Sequence, residues 1–362
     1  MNIISLFSGC GGLDLGFSEA GFKVIWANEY DKSIWETYEF NHPQTKLDKR
    51  DIRQISSLVI PDCIGIIGGP PCQSWSEAGA GRGINDSRGQ LFYEYIRVVK
   101  DKQPLFFLAE NVSGILAEKH MKAFSNILNK FKDIGYEVTY KLLNAKNFNV
   151  PQDRTRVIIV GYREDMGGLF NFPKASNKTL TLRDTIFDLS STEPTKIINS
   201  SCSELLSIPN HEYLDIGFSS IYMSRNRVRN WDEPSFTIQA GGRHAPIHPQ
   251  ANKMIFVEKD KRIFDPNSSK PYRRLSVREC ARIQTFPDHF IFKYKNIADG
   301  YKMVGNAVPV NFARALASKI FLDVQEYIHT GSCTSLVPIK LCTQLTLINP
   351  GAKHLKPETF IA

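Results

Sequence analysis

Apolar residues in the first half of the chain fall into short, near-continuous runs rather than strict alternation. Residues 3–7, 23–27, 64–67, 105–109 and 157–161 are such runs, each four or five residues long. Between them, residues 91–100 and 121–132 carry apolar positions at helical spacing. Short apolar runs that alternate with helices predict a parallel sheet buried on both faces, since only strands covered above and below lose their polar face. In an open sheet of this kind, ligands bind outside the carboxyl ends of the strands. The pattern is lost over residues 163–272, where Ser, Thr, Asn, Pro and Lys dominate, and this stretch reads as a second domain or insertion. Order returns at Arg273. Ser276-Val277-Arg278-Glu279 has the form of a capping box, which predicts a helix start. Residues 311–328 predict an amphipathic helix with Phe312, Leu316, Ile320 and Val324 on one face. From residue 331 onward the chain reads as a polar, irregular tail with one short apolar run.

The length of 362 residues suits one large domain and a smaller one, and a 42% hydrophobic share is enough to bury a substantial core. Lys and Arg outnumber Asp and Glu by 45 to 37, a net charge of +8 that is compatible with a polyanionic partner. The seven cysteines, at 10, 63, 72, 202, 280, 333 and 342, are odd in number and lack CxxC spacing, so neither a disulfide framework nor a zinc site is expected. No run approaches the roughly 20 apolar residues that span a membrane, and the N-terminus lacks the form of a signal peptide. The expectation is a cytoplasmic protein.

Candidate chemistry gathers where the strands end. Phe7-Ser8-Gly9-Cys10-Gly11-Gly12 is a glycine-rich turn after the first strand, where a ligand can approach the backbone. Its spacing is neither that of GxGxxG nor that of a phosphate-binding loop. Glu29 follows the second strand, where a carboxylate can hold ribose hydroxyls, and Asp51 could accept from an adenine amino group. Gly68-Gly69-Pro70-Pro71-Cys72-Gln73-Ser74 follows the next strand. Two prolines fix the backbone immediately before a thiol, and a thiolate is an intrinsically strong nucleophile. Glu110-Asn111-Val112 follows another strand and supplies a candidate acid. In Gln152-Asp153-Arg154-Thr155-Arg156, alternate residues of an extended chain share a face, which suits a carbonyl, phosphate or carboxylate partner.

This set, in this order, resembles the DNA cytosine-C5 methyltransferase family. Arg273-Arg274-Leu275-Ser276-Val277-Arg278-Glu279 and Gly305-Asn306-Ala307-Val308-Pro309 extend the match, which runs from Met1 to about residue 328. The resemblance implies an α/β fold: a Rossmann-like S-adenosylmethionine-dependent methyltransferase domain with a mostly parallel sheet (residues 1–163 and 303–330). A smaller, irregular target-recognition domain (164–302) and a C-terminal tail (331–362) complete it. It implies Cys72, Glu110, Arg154 and Arg156 as the catalytic group. For S-adenosylmethionine it implies Phe7 against the adenine, Gly9, Gly11 and Gly12 around the methionine part, Glu29 on the ribose and Asp51 on the adenine amino group. Ile52, Pro71, Asn306 and Val308 complete that pocket, and the C-terminal helix returns to the first domain. S-adenosylhomocysteine is the product, and no metal is needed.

The resemblance also implies duplex DNA as partner, a flipped target cytosine, a monomer, and functional pairing with a restriction endonuclease. Ser74, Arg225, Arg227, Arg229 and Arg243 are then the DNA contacts; arginines read guanine O6 and N7 or hold phosphates. The segment Ser224-Arg225-Asn226-Arg227-Val228-Arg229 most resembles bacterial enzymes that modify GGCC. His244-Ala245-Pro246 departs from that pattern, which keeps GGNCC and CCGG as alternatives. A tRNA cytosine methyltransferase and a non-catalytic DNA-binding regulator are the rival readings. The arginine-bearing insertion speaks against the first, and the joint presence of Cys72, Glu110 and Arg156 against the second.

Overall fold

The computed structural model describes residues 1–71, 90–198, 206–333 and 336. Seven strands form one sheet: β1 (Asn2–Leu6), β2 (Lys23–Asn28), β3 (Lys46–Asp48), β4 (Gly65–Gly68), β5 (Phe106–Val112), β6 (Tyr136–Asn144) and β7 (Thr155–Arg163). Their spatial order is β3-β2-β1-β4-β5-β7-β6. Neighbours from β3 to β5 pair in parallel, while β7 runs antiparallel to both β5 and β6. The chain therefore winds outward from β1 in one direction to β3, then reverses to β4 and β5. The crevice at that reversal opens at the carboxyl ends of β1 and β4, which is where such sheets place ligands.

Both faces of the sheet are covered, as the apolar runs predict. On one face, Ile3, Phe106, Leu108, Ile158 and Val160 pack against α1 (Gly12–Glu19) and α8 (Val310–Thr330). On the other, Ile4, Ile66, Phe107 and Ile159 pack against α3 (Leu91–Lys102) and α4 (Met121–Asp133). Phe312, Leu316, Ile320 and Val324 of α8 are fully buried, so the C-terminal helix does lie against the first half of the chain. The approach of α1 to α8 is close: a Cβ on Gly16 would meet the Ala313 Cβ at 2.4 Å. Leu336 also joins this core, beyond the point where the sequence turns polar.

Four elements in and around the sheet carry no apolar run and are not expected from the sequence, one of them the short helix α2 (Trp35–Asn41). The three-residue strand β3 and the partly exposed strand β6 occupy the two edges of the sheet, where burial is one-sided. α7 (Ile297–Asn306) contains Gly300 and Gly305, which weaken helix propensity. Gly305 is set against the Gln239 backbone, where a Cβ would come within 2.2 Å of a carbonyl oxygen.

The described residues between 164 and 276 hold little regular structure: α5 (Arg183–Ile186), a parallel pair of β8 (Thr195–Ile197) and β9 (Glu212–Leu214), and a hairpin of β10 (Ile255–Glu258) and β11 (Lys261–Ile263). Arginines do much of the bracing that periodic structure does elsewhere. Arg274, 2% exposed, donates to the carbonyls of Leu214, Ile216 and Gly217 and stacks on Phe218. Arg278 donates to those of Pro209 and Phe290.

The capping box forms as the sequence predicts. Ser276 Oγ accepts from the Glu279 amide at 3.0 Å, and Glu279 Oε2 accepts from the Ser276 amide at 2.7 Å, at the start of α6 (Val277–Ile283). Glu279 also takes both arms of Arg273, at 2.8 Å each, with both groups buried. Burial alone would raise this carboxyl, but the Arg273 charge and hydrogen bond hold it down at about 2. The folded value lies below the ordinary 4.5, so the stabilisation is complete above pH 4.5 and is lost as pH falls toward 2. Glu279→Gln leaves Arg273 buried without its counter-charge, and thermal denaturation at pH 7 should show a loss on the order of 3 kcal/mol.

Candidate active site

A cavity of about 420 Å³ opens at the reversal point of the sheet. Its wall is assembled from the ends of five strands (β1, β2, β4, β5 and β7), from the start of α1 and from the turn between α7 and α8.

The turn after β1 forms one side. Phe7, at φ 54°, leaves the strand in the left-handed region, where a side chain other than glycine is uncommon. Gly9 and Gly11 follow at φ 56° and 91°. The turn is tied to β2: the Ser8 amide donates to the Asn28 carbonyl at 3.1 Å and the Gly9 amide to Glu29 Oε2 at 2.9 Å. The other oxygen of Glu29 accepts from the Asp31 amide at 2.8 Å. Burial raises the Glu29 carboxyl above its ordinary value, against these two amides, which lower it. Phe7, Gly9, Gly12 and Glu29 all lie on the cavity wall, with Val308 and Asn306 opposite. A Cβ on Gly12 would strike the Val308 carbonyl oxygen at 2.5 Å, so this glycine sets how closely the two sides meet.

Three residues expected around S-adenosylmethionine stand off this wall. Gly11 instead faces His42, whose Nε2 would lie 2.0 Å from an added Cβ. Asp51 caps the short turn at Ile52–Gln54 and is paired with Arg53. Ile52 is buried in the core beneath the sheet.

The side of the cavity formed by β4 and β5 carries the candidate chemistry. Pro70 and Pro71 are on the wall; Cys72 and Ser74 lie outside the described residues. Asn111 Nδ2 donates to the Pro70 carbonyl at 3.3 Å, which fixes the proline turn to β5. Glu110 belongs to β5 rather than to a loop after it, one strand position from Asn111, and its Oε2 lies near Gly69. Because β7 is antiparallel, its first residues return to the carboxyl end of β5. Arg156 pairs in register with Val112, diagonal to Glu110, and its Nε comes within 2.9 Å of Glu110 Oε1. Both side chains are largely buried, and both face the cavity.

Arg154 also borders the cavity, but its guanidinium is engaged differently from that of Arg156. It is 1% exposed and donates to the carbonyls of Ile238, Gly305 and Ala307, all at 3.1 Å. Of the partners considered for this arginine-rich stretch, the carbonyl is thus the one Arg154 takes. Gln152 grips the same residue from the other end: its Oε1 accepts from the Ile238 amide at 2.9 Å, and its Nε2 donates to Gln284 Oε1 at 2.7 Å. Gln284 Nε2 then donates to the carbonyls of Val304 and Ala307. This buried hub joins β7, the irregular region, α6 and the turn at Asn306. In the sequence Asn111 appears only within its motif, with no role of its own, and Gln284 belongs to no motif. For Gln284 no local signal exists, because its partners lie up to 132 positions away.

A second cleft, about 280 Å³, lies between Asp153 and the irregular region. Arg225 and Arg227 line it together with Gln239 and His244. Arg227 is anchored by bonds to the Tyr222 and Ile221 carbonyls and by the Tyr222 ring. Arg229 is turned inward, stacked 4.1 Å from Phe236 and paired with Glu233. Arg243 is exposed on the short turn Gly242–His244 at the side of this cleft. Among the described residues no group of three His, Cys, Asp or Glu could hold a metal ion, and no helix is long and apolar enough to cross a membrane.

Comparison with known proteins agrees with this geometry. The model of the C-5 cytosine-specific DNA methylase family matches residues 1–322. The chain is 62% identical to the type II methyltransferase M.MthTI of Methanothermobacter thermautotrophicus, over 90% of this chain and 98% of that one. It is 54% identical to the type II methyltransferase M.FnuDI of Fusobacterium nucleatum, over 88% and 94% respectively. A prophage-encoded E. coli protein assigned as a DNA modification methyltransferase has a crystal structure that superposes with a TM-score of 0.69 at 25% identity, over 90% of this chain and all of that one. The fold is therefore the Rossmann-like one of S-adenosylmethionine-dependent methyltransferases, and the chain belongs to the C-5 cytosine-specific DNA methylase family, as a DNA (cytosine-5-)-methyltransferase.

Proposed function

We propose that this enzyme is the methyltransferase of a type II restriction–modification system. It modifies one cytosine within GGCC or a related G/C-rich site and so shields the DNA of a bacterial cytoplasm from a cognate endonuclease. The observation that carries the chemistry is the Glu110–Arg156 pair, held by adjacent strands at the cavity wall beside the proline turn that leads to Cys72. The relatives named as type II methyltransferases support the biological setting.

The cavity suits S-adenosylmethionine. Its glycine wall lets a ligand lie against the backbone, Glu29 offers a carboxylate for ribose hydroxyls, and Ser8 Oγ is buried there with no hydrogen-bond partner. Phe7, Gly9, Gly12, Pro71, Asn306 and Val308 would enclose it, with Gly11 shaping the turn. Asp51 would have to release Arg53 to take the adenine amino group. When bound, the cofactor supplies an electrophilic methyl on a sulfonium and departs as a neutral thioether.

The target cytosine must leave the duplex, because its carbon 6 is out of reach in the stack. The Cys72 thiolate then forms a bond to carbon 6, and the electrons of the 5,6 double bond move to carbon 5. Glu110, protonated, donates to N3 and offsets the negative charge that develops in the ring. Arg156 contacts O2 and holds Glu110 in place. Once carbon 5 carries the methyl, water removes its proton, the double bond re-forms and the bond to Cys72 breaks. Arg154 acts as a positioning residue, because its guanidinium is committed to three carbonyls.

Residues 164–302 supply the target reading. Arg225 and Arg227, on the second cleft, and Arg243 beside it would meet base edges or phosphates, and Ser74 is assigned a DNA contact from the sequence alone. Arg229 serves the fold of this region more than the contact with DNA. One chain approaches one flipped base, so a monomer suffices.

Bisulfite sequencing of unmethylated genomic DNA, after incubation with the enzyme and S-adenosylmethionine, tests the activity and the site together. Protected cytosines should be confined to one short motif, GGCC. Protection at GGNCC or CCGG would show that His244 and its neighbours altered the reading. Absence of any protected cytosine, with an active control enzyme alongside, would overturn the proposal.

A further inference from the structure

One buried acid is unused by the mechanism above. Asp14, in the first turn of α1, is 0% exposed and lies directly behind the cavity wall. Its Oδ1 accepts from Ser5 Oγ at 2.6 Å and its Oδ2 from the Tyr38 hydroxyl, also at 2.6 Å. Ser5 and Leu13, its neighbours in space and in sequence, are both on that wall. Among the described residues no Lys, Arg or His is paired with Asp14. A fully buried carboxylate satisfied only by neutral donors (these two hydroxyls and its own backbone amide) is costly in a core, and a neutral residue would fill the place without that cost.

The surrounding titratable groups do not supply the missing positive charge. His42 stacks on Tyr38 at 4.6 Å, and burial pushes its imidazole down to about 4, so it is neutral. Burial pushes the Cys10 thiol up to about 12, which leaves it neutral too. Glu29, Asp31 and Glu110 add carboxylates to the same wall; its two cations are engaged elsewhere, Arg154 with three carbonyls and Arg156 with Glu110. Lys302, the nearby cation at the rim, is already paired with Asp31.

We propose that Asp14 is the fixed counter-charge for the cofactor: a buried carboxylate behind the cavity wall that favours the cationic sulfonium of S-adenosylmethionine over the neutral thioether of S-adenosylhomocysteine. This rests on the cofactor reading of the cavity. Both ligands share their adenosine, amino and carboxylate groups, so contacts such as that of Glu29 with ribose cancel in a ratio of affinities. Transfer of the methyl removes one positive charge from the ligand, and the uncompensated carboxylate then favours product release. In a water-poor site, a unit charge within several ångströms of another is worth about a tenfold change in affinity, even with substantial screening.

Burial raises the Asp14 carboxyl from 3.8 to about 6, against the lowering effect of its two hydroxyl donors. The charge is therefore present at pH 7.5 and is lost as pH falls through about 6. A bound sulfonium stabilises the ionised form, so binding of S-adenosylmethionine near pH 6 should release protons, and binding of S-adenosylhomocysteine should release fewer.

The experiment is isothermal titration calorimetry of the full-length enzyme with each ligand, at pH 7.5 and 6.0, in two buffers of different ionisation enthalpy. In the wild type, the preference for S-adenosylmethionine should weaken as pH falls, with excess proton release for that ligand at pH 6.0. Asp14→Asn should lower the preference about tenfold at pH 7.5 and abolish the difference in proton release. Tyr38→Phe keeps the charge but removes one donor that holds the carboxyl down. It should retain the preference at pH 8 and move its loss to higher pH, and it serves as the test if the asparagine variant does not fold. An unchanged ratio in Asp14→Asn, or an unchanged pH profile in Tyr38→Phe, would overturn the role of Asp14 alone. Failure of the wild type to bind either ligand would overturn the cofactor reading and this inference with it.

Discussion

Replacing Cys72 with alanine is expected to abolish methyl transfer, by roughly four orders of magnitude or more, while leaving binding of duplex DNA within a few-fold of wild type. Carbon 5 of cytosine is too weak a nucleophile to attack a methyl group until a thiolate has added at carbon 6. No other group on the described cavity wall offers an equivalent nucleophile: Cys10 is buried with its thiol pushed up to about 12, and Cys280 is buried away from the cavity. Cys72→Ser should fail almost as badly, because a hydroxyl is not ionised at neutral pH and is a poorer nucleophile than a thiolate. Neither variant removes the arginines of the second cleft or the glycine wall, so ground-state binding should persist while the transition state loses its covalent stabilisation. Single-turnover transfer of labelled methyl, set beside a gel-shift measurement, separates the two effects. Full activity in Cys72→Ser would disprove the covalent route.

The parts of the fold that were legible in the sequence share one physical property: their signal is local. β1, β2, β4, β5 and β7 are buried on both faces, so each appears as an apolar run, and the motifs that follow them occur at the strand ends where the sheet reverses. The Ser276–Glu279 capping box is likewise a four-residue pattern that needs no distant partner. The hub of Gln152, Arg154 and Gln284 is the opposite case. Its hydrogen bonds join residues 20 to 153 positions apart, and nothing near Gln284 distinguishes it from a surface glutamine. The same limit applies to Arg154 and Arg156. The sequence shows two arginines in one extended segment, but only the reversed direction of β7 brings Arg156 to Glu110, and only the return of the turn between α7 and α8 occupies Arg154 with carbonyls. Asp51 shows how a neighbour two residues away can compete for a group, since its carboxylate is paired with Arg53. Over residues 164–276 the structure is held by buried arginines and aromatic contacts without period, so a pattern-based reading finds only the change in texture.

Glu110→Gln is expected to slow methyl transfer by about 10²- to 10⁴-fold, the range associated with losing a positioned proton donor. The amide has nearly the shape of the acid and can still form hydrogen bonds with the cytosine edge, so DNA affinity should change little. It cannot give up a proton, however, and the charge that develops in the ring when Cys72 adds is then left uncompensated. The substitution also strands Arg156, whose Nε lies 2.9 Å from the carboxylate in a largely buried position. Arg156→Ala should therefore reduce the rate through two routes: loss of its own contact with the base and loss of order in Glu110. Because both residues act on one ring and on each other, their effects should not add. The double variant Glu110→Gln/Arg156→Ala should be no more than about tenfold slower than the worse single variant, rather than showing the product of the two defects. Single-turnover rates of the four proteins complete the cycle. Strictly multiplicative defects would mean that the pair seen across β5 and β7 is not the unit that holds the base.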